Sequence, residues 1–290
     1  GQEIETKIQK YFAGGLRVQN LLGQELMIKH RDLVMAINRC PLVDFGIQPS
    51  YYTGFGYMSE ILDRAISVPE IAVSGEWLKR GRDYYRTLEE KHALRFIAEP
   101  ATFSYLGSRP SIHHQEILPP PNSHQAVTPS WWQRLFIQPG VYTTITGVYS
   151  RMHLLGEVTK MGLKIYTHKP SLIPLSHRAA PTILGHHKVL LHFARIGWGS
   201  AWLSFFTNTP LITPPYDPKD DPEVFFNNLC IEKIGLGKVY RGQPLEELLQ
   251  WGEEYKSSVQ KVKQQLLSNY GTLRGVPYTA EKIVEHFLRS

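Results

Sequence analysis

The stretch Val189-Leu190-Leu191-His192-Phe193-Ala194-Arg195-Ile196-Gly197-Trp198-Gly199-Ser200 decides how this chain is read. It begins as a short apolar run of strand type and stops at a bend containing two glycines. Gly197 and Gly199 permit a sharp turn and let a ligand approach the backbone closely. Ser200 stands where a helix N-cap is expected, so the first N–H groups of the next helix have no partner within it. A helix N-terminus carries partial positive charge and suits an anion, phosphate above all. Arg195 adds a planar cationic fork on the same turn. These residues describe a strand, a bend and a helix arranged for a diphosphate.

The sequence on either side has a regular order. A helix is expected over 201–207, a strand over 211–213, and a further helix opening at Asp220-Asp221-Pro222-Glu223. That helix carries Asn227 and ends at Gly235-Leu236-Gly237. Upstream, 138–147 reads as a strand with Thr146 and Gly147 at its carboxyl end, where ligands gather in parallel sheets. A helix over 151–161 and a strand over 162–167 follow it. Downstream, 244–269 reads as one long polar helix with apolar Leu245, Leu248, Leu249 and Trp251, and 281–288 as a closing helix.

This order resembles the C-terminal, nucleotide-sugar-binding half of glycosyltransferases with the GT-B fold, over roughly residues 139–290. In that family a glycine-rich turn with serine or threonine holds the donor diphosphate, and a G-x-P segment leads into the next strand. An acidic residue ahead of N-A…E…G-x-G lies near the donor sugar. The matching residues here are Thr209-Pro210, Glu223, Asn227-Asn228, Glu232 and Gly235-Leu236-Gly237.

The resemblance implies an α/β protein of two Rossmann-like domains of GT-B type. Residues 1–138 would form an acceptor-side domain, reduced or incomplete, and 139–290 the nucleotide-sugar-binding domain. It implies that Arg195, Gly197, Trp198, Gly199 and Ser200, with Thr146 and Gly147, hold the diphosphate, and that Glu223 and Asn227 face the sugar. The implied activity is transfer of a sugar from a nucleoside diphosphate-sugar, a UDP-sugar first, to an acceptor hydroxyl. The transfer would invert the anomeric centre and use neither metal nor cofactor. The partners would be that donor and a small-molecule or lipid acceptor.

Some positions depart from the family's pattern. Arg195 stands where many members have histidine, and arginine still contacts phosphate. Leu203 stands where a glutamate usually holds the ribose, and leucine accepts no hydrogen bond. Val224 follows Glu223 where glutamine is usual. These departures set out a second reading, a non-catalytic GT-B-like nucleotide-binding or scaffold protein. A nucleotide-sugar epimerase, which shares the fold, is ranked last because its usual acid and base residues are not recognisable.

Composition bounds the rest. The 290 residues suffice for two domains with ordinary cores. The net charge is +6, which suits a phosphate-bearing ligand or an anionic membrane surface. No apolar run has the length of a membrane span and no nucleic-acid motif occurs, so peripheral membrane contact is the form left open. Cys40 and Cys230 have no metal-ligand spacing, and a reduced, cytoplasmic protein is the simplest expectation. His113-His114 and His186-His187 are expected to point opposite ways along an extended chain and so to share no ion.

The front half is less regular. Helical spacing is seen over 2–12 and 16–30, a buried strand is expected over 31–37, a helix over 57–66, a short strand over 70–73 and a charged helix over 75–94. The extended Pro-rich piece 118–124 resembles a connector between domains. No strand with a glycine-rich turn is recognisable ahead of residue 31, and such turns often carry the base that activates the acceptor. The catalytic base is therefore unassigned, with Asp44 the best acidic candidate of this half.

Overall fold

A computed structural model gives the architecture. It describes residues 43–44, 52–54, 58–89, 92–106, 115–120, 136–144, 153–218, 220–275, 277–279 and 281–282. The expected elements over 2–37, and the pair Thr146 and Gly147, lie outside the described residues. The chain divides into two compact units, 1–123 with 266–290, and 124–265.

The first unit holds β1 (Val43–Asp44), β2 (Tyr52–Gly54), α1 (Met58–Ala65), α2 (Gly75–Glu89), β3 (His92–Ala98), α3 (Thr102–Leu106) and β4 (Gln115–Leu118). Its sheet runs β1-β2-β3-β4, with β1 antiparallel to β2 and the other pairs parallel. Helix α1 buries Ile61, Leu62 and Ala65, an i, i+1, i+4 apolar stripe. It packs on α2 at Gly81, where a Cβ would come within 2.9 Å of Leu62.

Two expectations for this half are corrected. The segment 70–73 is not a strand. The Ser67, Val68 and Ile71 amides donate to carbonyls three residues back, making successive turns, and Ile71 is buried as their anchor. The charged helix stops at Glu89, and β3 begins at His92 within the stretch read as helix. At the far end of the chain, Tyr270 donates to Glu99 Oε2 at 2.7 Å. Gly275 lies so close to the Pro119 and Pro120 carbonyls that a Cβ would collide with them.

The second unit holds β5 (Gly140–Thr144), α4 (His153–Lys160), β6 (Lys164–Thr167), β7 (His177–Arg178), β8 (Val189–Ala194), α5 (Trp198–Thr207), β9 (Leu211–Thr213), α6 (Pro222–Lys233), β10 (Lys238–Val239) and α7 (Leu245–Gln250), and α8 (Gly252–Tyr270) begins in it. The six-stranded sheet runs β10-β9-β8-β5-β6-β7 and every pairing is parallel. Numbered within the unit, that is the doubly wound order 3-2-1-4-5-6. The order reverses between β5 and β8, where Thr144 pairs with Ala194.

Alternation along the strands supplies two cores. Val141, Ile165, Leu191, Phe193 and Ile212 face Leu154, Leu155, Val158, Leu245 and Leu248 of α4 and α7. Tyr142 and Tyr166 join Ile183, Leu184 and Val189 in a second cluster, which Leu203 of α5 packs against. Each fully buried aliphatic side chain contributes about 1.5–3 kcal/mol. At Gly140 the chain passes so close to the Lys164 carbonyl that any Cβ would clash. The single helix expected over 244–269 is two, α7 and α8, separated at Trp251.

Candidate functional site

Ligands of open parallel sheets lie outside the strands' carboxyl ends, at the point where strand order reverses. Here that point is the end of β5 and β8, and β8 passes there into Arg195-Ile196-Gly197 and α5. A buried polar chain sets the helix over it. His192 of β8 lies 2.8 Å from Thr144 Oγ1 through Nε2 and 2.7 Å from Ser204 Oγ through Nδ1. Burial pushes the imidazole pKa down to about 3. The neutral ring has one donor and one acceptor, so one hydroxyl receives its proton and the other donates to it. His192 thus ties β5, β8 and α5 together and is a positioning residue, hydrogen-bonded and fully buried near the strand's end.

The helix begins one turn earlier than expected. Gly197, in extended conformation at φ −143° and ψ 150°, is the N-cap, and Ser200 lies inside the first turn. Among the described residues no side chain caps Gly197's end of the helix. Among the described residues the amides of Gly199 and Ser200 have no acceptor. A Cβ built on Gly197 or Gly199 would meet nothing within 4 Å. Neither glycine has a positive φ, so the bend itself does not require them. Their small size leaves open space beside the Gly199 and Ser200 N–H groups at the helix start.

Arg195 is one-quarter exposed and its Nη2 lies 3.0 Å from Asp220 Oδ1 and 3.7 Å from Asp221 Oδ2. Its Nε is buried and has no hydrogen-bond partner among the described residues. Asp220, just ahead of α6, is buried, and its Oδ2 accepts weakly from the Asp217 amide at 3.4 Å. The contact with Arg195 is an ion pair by distance, yet Asp220 Oδ1 lacks a well-aligned donor. Asp220 holds the guanidinium beside the turn. A clue existed in the sequence, since an acidic pair ahead of a helix-opening proline sits one strand after the arginine.

Trp198 opens α5 and is buried. Its Nε1 donates to Asn227 Oδ1 at 3.1 Å, and Asn227 Nδ2 donates to Glu223 Oε1 at 3.1 Å. Asn227 is 1% exposed, so its side chain serves this bridge. Glu223 lies in the first turn of α6, where a carboxylate also suits the helix dipole. The structure thus brings Arg195, Gly197, Trp198, Gly199, Ser200, Glu223 and Asn227 onto two linked helix starts. Thr213 and Asn228 fasten the second start, through Thr213 Oγ1 to Asn228 Oδ1 at 2.8 Å. Asp44 lies in β1 of the first unit, paired with Tyr52. Leu203 is spent on the apolar cluster.

Two further expectations can be placed. The rings of His186 and His187 stack at 4.5 Å between centroids rather than pointing apart, because they lie in a turn and not on an extended strand. Among the described residues no group of three or more His, Cys, Asp or Glu side chains is placed to hold a metal ion. No helix of the described residues is long and apolar enough to cross a membrane. Burial pushes the Cys230 thiol up to about 12, which leaves it unreactive at neutral pH.

The architecture is that of the GT-B glycosyltransferases, as comparison with solved structures shows. A UDP-glucosyltransferase from Polygonum tinctorium capable of glucosylating indoxyl, solved with 3,4-dichloroaniline, superposes with TM-score 0.56 at 14% identity, over 81% of this chain and 69% of that one. Phytolacca americana UGT2, complexed with UDP-2-fluoro-glucose and pterostilbene, gives 0.54 at 11% identity, over 80% and 70%. Arabidopsis thaliana UGT89C1, complexed with UDP, gives 0.52 at 11% identity, over 81% and 67%. This chain therefore spans about two thirds of the length of the structures it resembles. No protein-family model matches the sequence, and comparison with curated proteins gives no match.

Proposed function

We propose that this protein transfers a sugar from a nucleoside diphosphate-sugar, UDP-linked in the first instance, to an acceptor hydroxyl. The observation that carries the proposal is the start of α5 at the reversal point of a 3-2-1-4-5-6 sheet, where the Gly199 and Ser200 amides have no acceptor among the described residues and both glycines face open space. The fold neighbours solved with UDP or a UDP-sugar agree with that choice of ligand.

In this reading the amides of Gly197–Ser200 and the Arg195 guanidinium face the diphosphate, and Thr146 and Gly147, which follow β5 in the sequence, contribute to the same cradle. As the bond from the anomeric carbon to the diphosphate oxygen breaks, negative charge grows on that oxygen. The helix start and Arg195 stabilise the charge without a metal ion. The acceptor oxygen attacks from the opposite face of the anomeric carbon, which inverts it, and its proton passes to a base. Asp44 is the acidic candidate for that base. Glu223 accepts hydrogen bonds from sugar hydroxyls, and Asn227 orients it.

UDP is expected to stabilise the folded protein by about 2.7 kcal/mol at one hundred times its Kd, a rise of several degrees in Tm. Arg195→Ala should remove most of that rise. A thermal shift series in which no nucleoside diphosphate raises Tm would overturn the reading. Hydrolysis of UDP-glucose in the absence of acceptor then separates an enzyme from a binding protein.

A further inference from the structure

A concavity lies on the sheet face that carries Tyr166, against the edge strand β7. Its volume is about 380 Å³, within the range of small-molecule sites. It shares no lining residue with the glycine turn, and it falls wholly inside the second unit.

Its lining sets Phe136, Ile137, Tyr166, Ala179 and Ile183 beside Gln138, His177 and two cationic side chains. Tyr166 and Ile183 are buried and form the floor, and Phe136 stands at the mouth with 76% of its surface in water. The Tyr166 hydroxyl is fully used, accepting from the Gln138 amide at 2.9 Å and donating to the Gln138 carbonyl at 3.1 Å. Tyr166 therefore offers only its ring. The charged groups are Lys164, which opens β6, and Arg178, which ends β7. Neither has an acidic partner among the described residues, and no carboxylate lines the cavity. Two free cations beside an aromatic and aliphatic cleft select an apolar body that carries one acidic group.

We infer that this cavity binds a small aromatic carboxylate: the ring lies between Phe136 and Tyr166, and the acid group is held by Lys164 and Arg178. The site is independent of the donor site at α5. It would let a small acid bind this unit whether or not a nucleotide is present.

Calorimetric titration of the full chain with 2-naphthoate tests this. Saturable binding is expected, with 2-naphthylmethanol (the ring without the acid) and inorganic phosphate (charge without the ring) each at least about tenfold weaker. Arg178→Glu and Lys164→Ala alter side chains that are at least partly exposed, so the fold should persist. Each should weaken naphthoate by about tenfold or more. Arg195→Ala should leave naphthoate binding unchanged while removing most of the effect of UDP, so the two sites succeed or fail separately. Absence of saturation, equal affinity in Arg178→Glu, or displacement of naphthoate by UDP would overturn the inference.

Discussion

Gly197 and Gly199 resemble each other in sequence and differ from every packing glycine of the second unit. At Gly140 a Cβ would strike the Lys164 carbonyl, and at Gly237 it would press within 2.5 Å of Ile231, whereas at the turn it would enter open space. Gly199→Ala is therefore expected to leave the stability of the free protein unchanged or raise it by less than about 1 kcal/mol, since alanine suits a helix better. The same change should cut the UDP-induced rise in Tm. Scanning fluorimetry with and without UDP reads both quantities, and equal losses in the two would return these glycines to a packing role. His192 gives a pH prediction. Its folded pKa lies below its unfolded one, so the stability it contributes is fully present above about pH 6.5 and falls as acidity protonates the unfolded chain. Between pH 7 and pH 5 the loss from this group is about 2 kcal/mol. Urea unfolding at both pH values should show a smaller difference for His192→Gln than for the parent protein by about that amount.

Elements of the second unit were largely legible, because their chemistry is local. The strand Leu211–Thr213 follows Pro210 and has the expected bounds, and α4, β6 and α6 differ from expectation by a residue or two at their ends. What escaped was held by distant partners. β7 and β10 are two-residue strands that exist only because β6 and β9 offer parallel edges. The N-cap of α5 is Gly197 and not Ser200, because the Ala201 amide already donates to the Gly197 carbonyl at 3.0 Å. The sequence puts Arg195 on the turn after β8, whereas its pairing with buried Asp220 is a tertiary contact across a helix and a strand that spacing alone does not show. In the first unit, β3 was absorbed into the preceding helix because the charged run continues past Glu89 into Lys91. Glu232 belongs to this scale as well. Its carboxylate receives Arg241 Nη1 at 2.6 Å and Nη2 at 2.7 Å, and the Val239 amide at 3.0 Å, so it pins β10 to α6. Burial raises its pKa, but the Arg241 and Val239 hydrogen bonds outweigh burial and hold it below the ordinary range. Stability from this group is present above the unfolded carboxylate pKa and is lost as pH falls below it. Glu232→Gln should cost about 1 kcal/mol at pH 7 after solvent screening of the exposed arginine, and nearly nothing at pH 3, as thermal unfolding at the two values can check.

For the whole molecule, the relevant scale is charge. A net charge of +6 attracts a nucleoside diphosphate through long-range Coulomb terms that salt screens beyond about 10 Å at 0.1 M. The UDP-induced rise in Tm should therefore shrink as sodium chloride is raised from low to high concentration. A rise indifferent to salt would mean that nucleobase and ribose contacts, rather than the phosphates, supply the binding. The hydrogen-bonded bridge from Trp198 through Asn227 to Glu223 has a mechanical consequence. An indole cannot stretch, and a buried amide cannot let go of its partners cheaply. The openings of α5 and α6 are therefore yoked at a set spacing, and any shift that carries one sideways must drag its neighbour along.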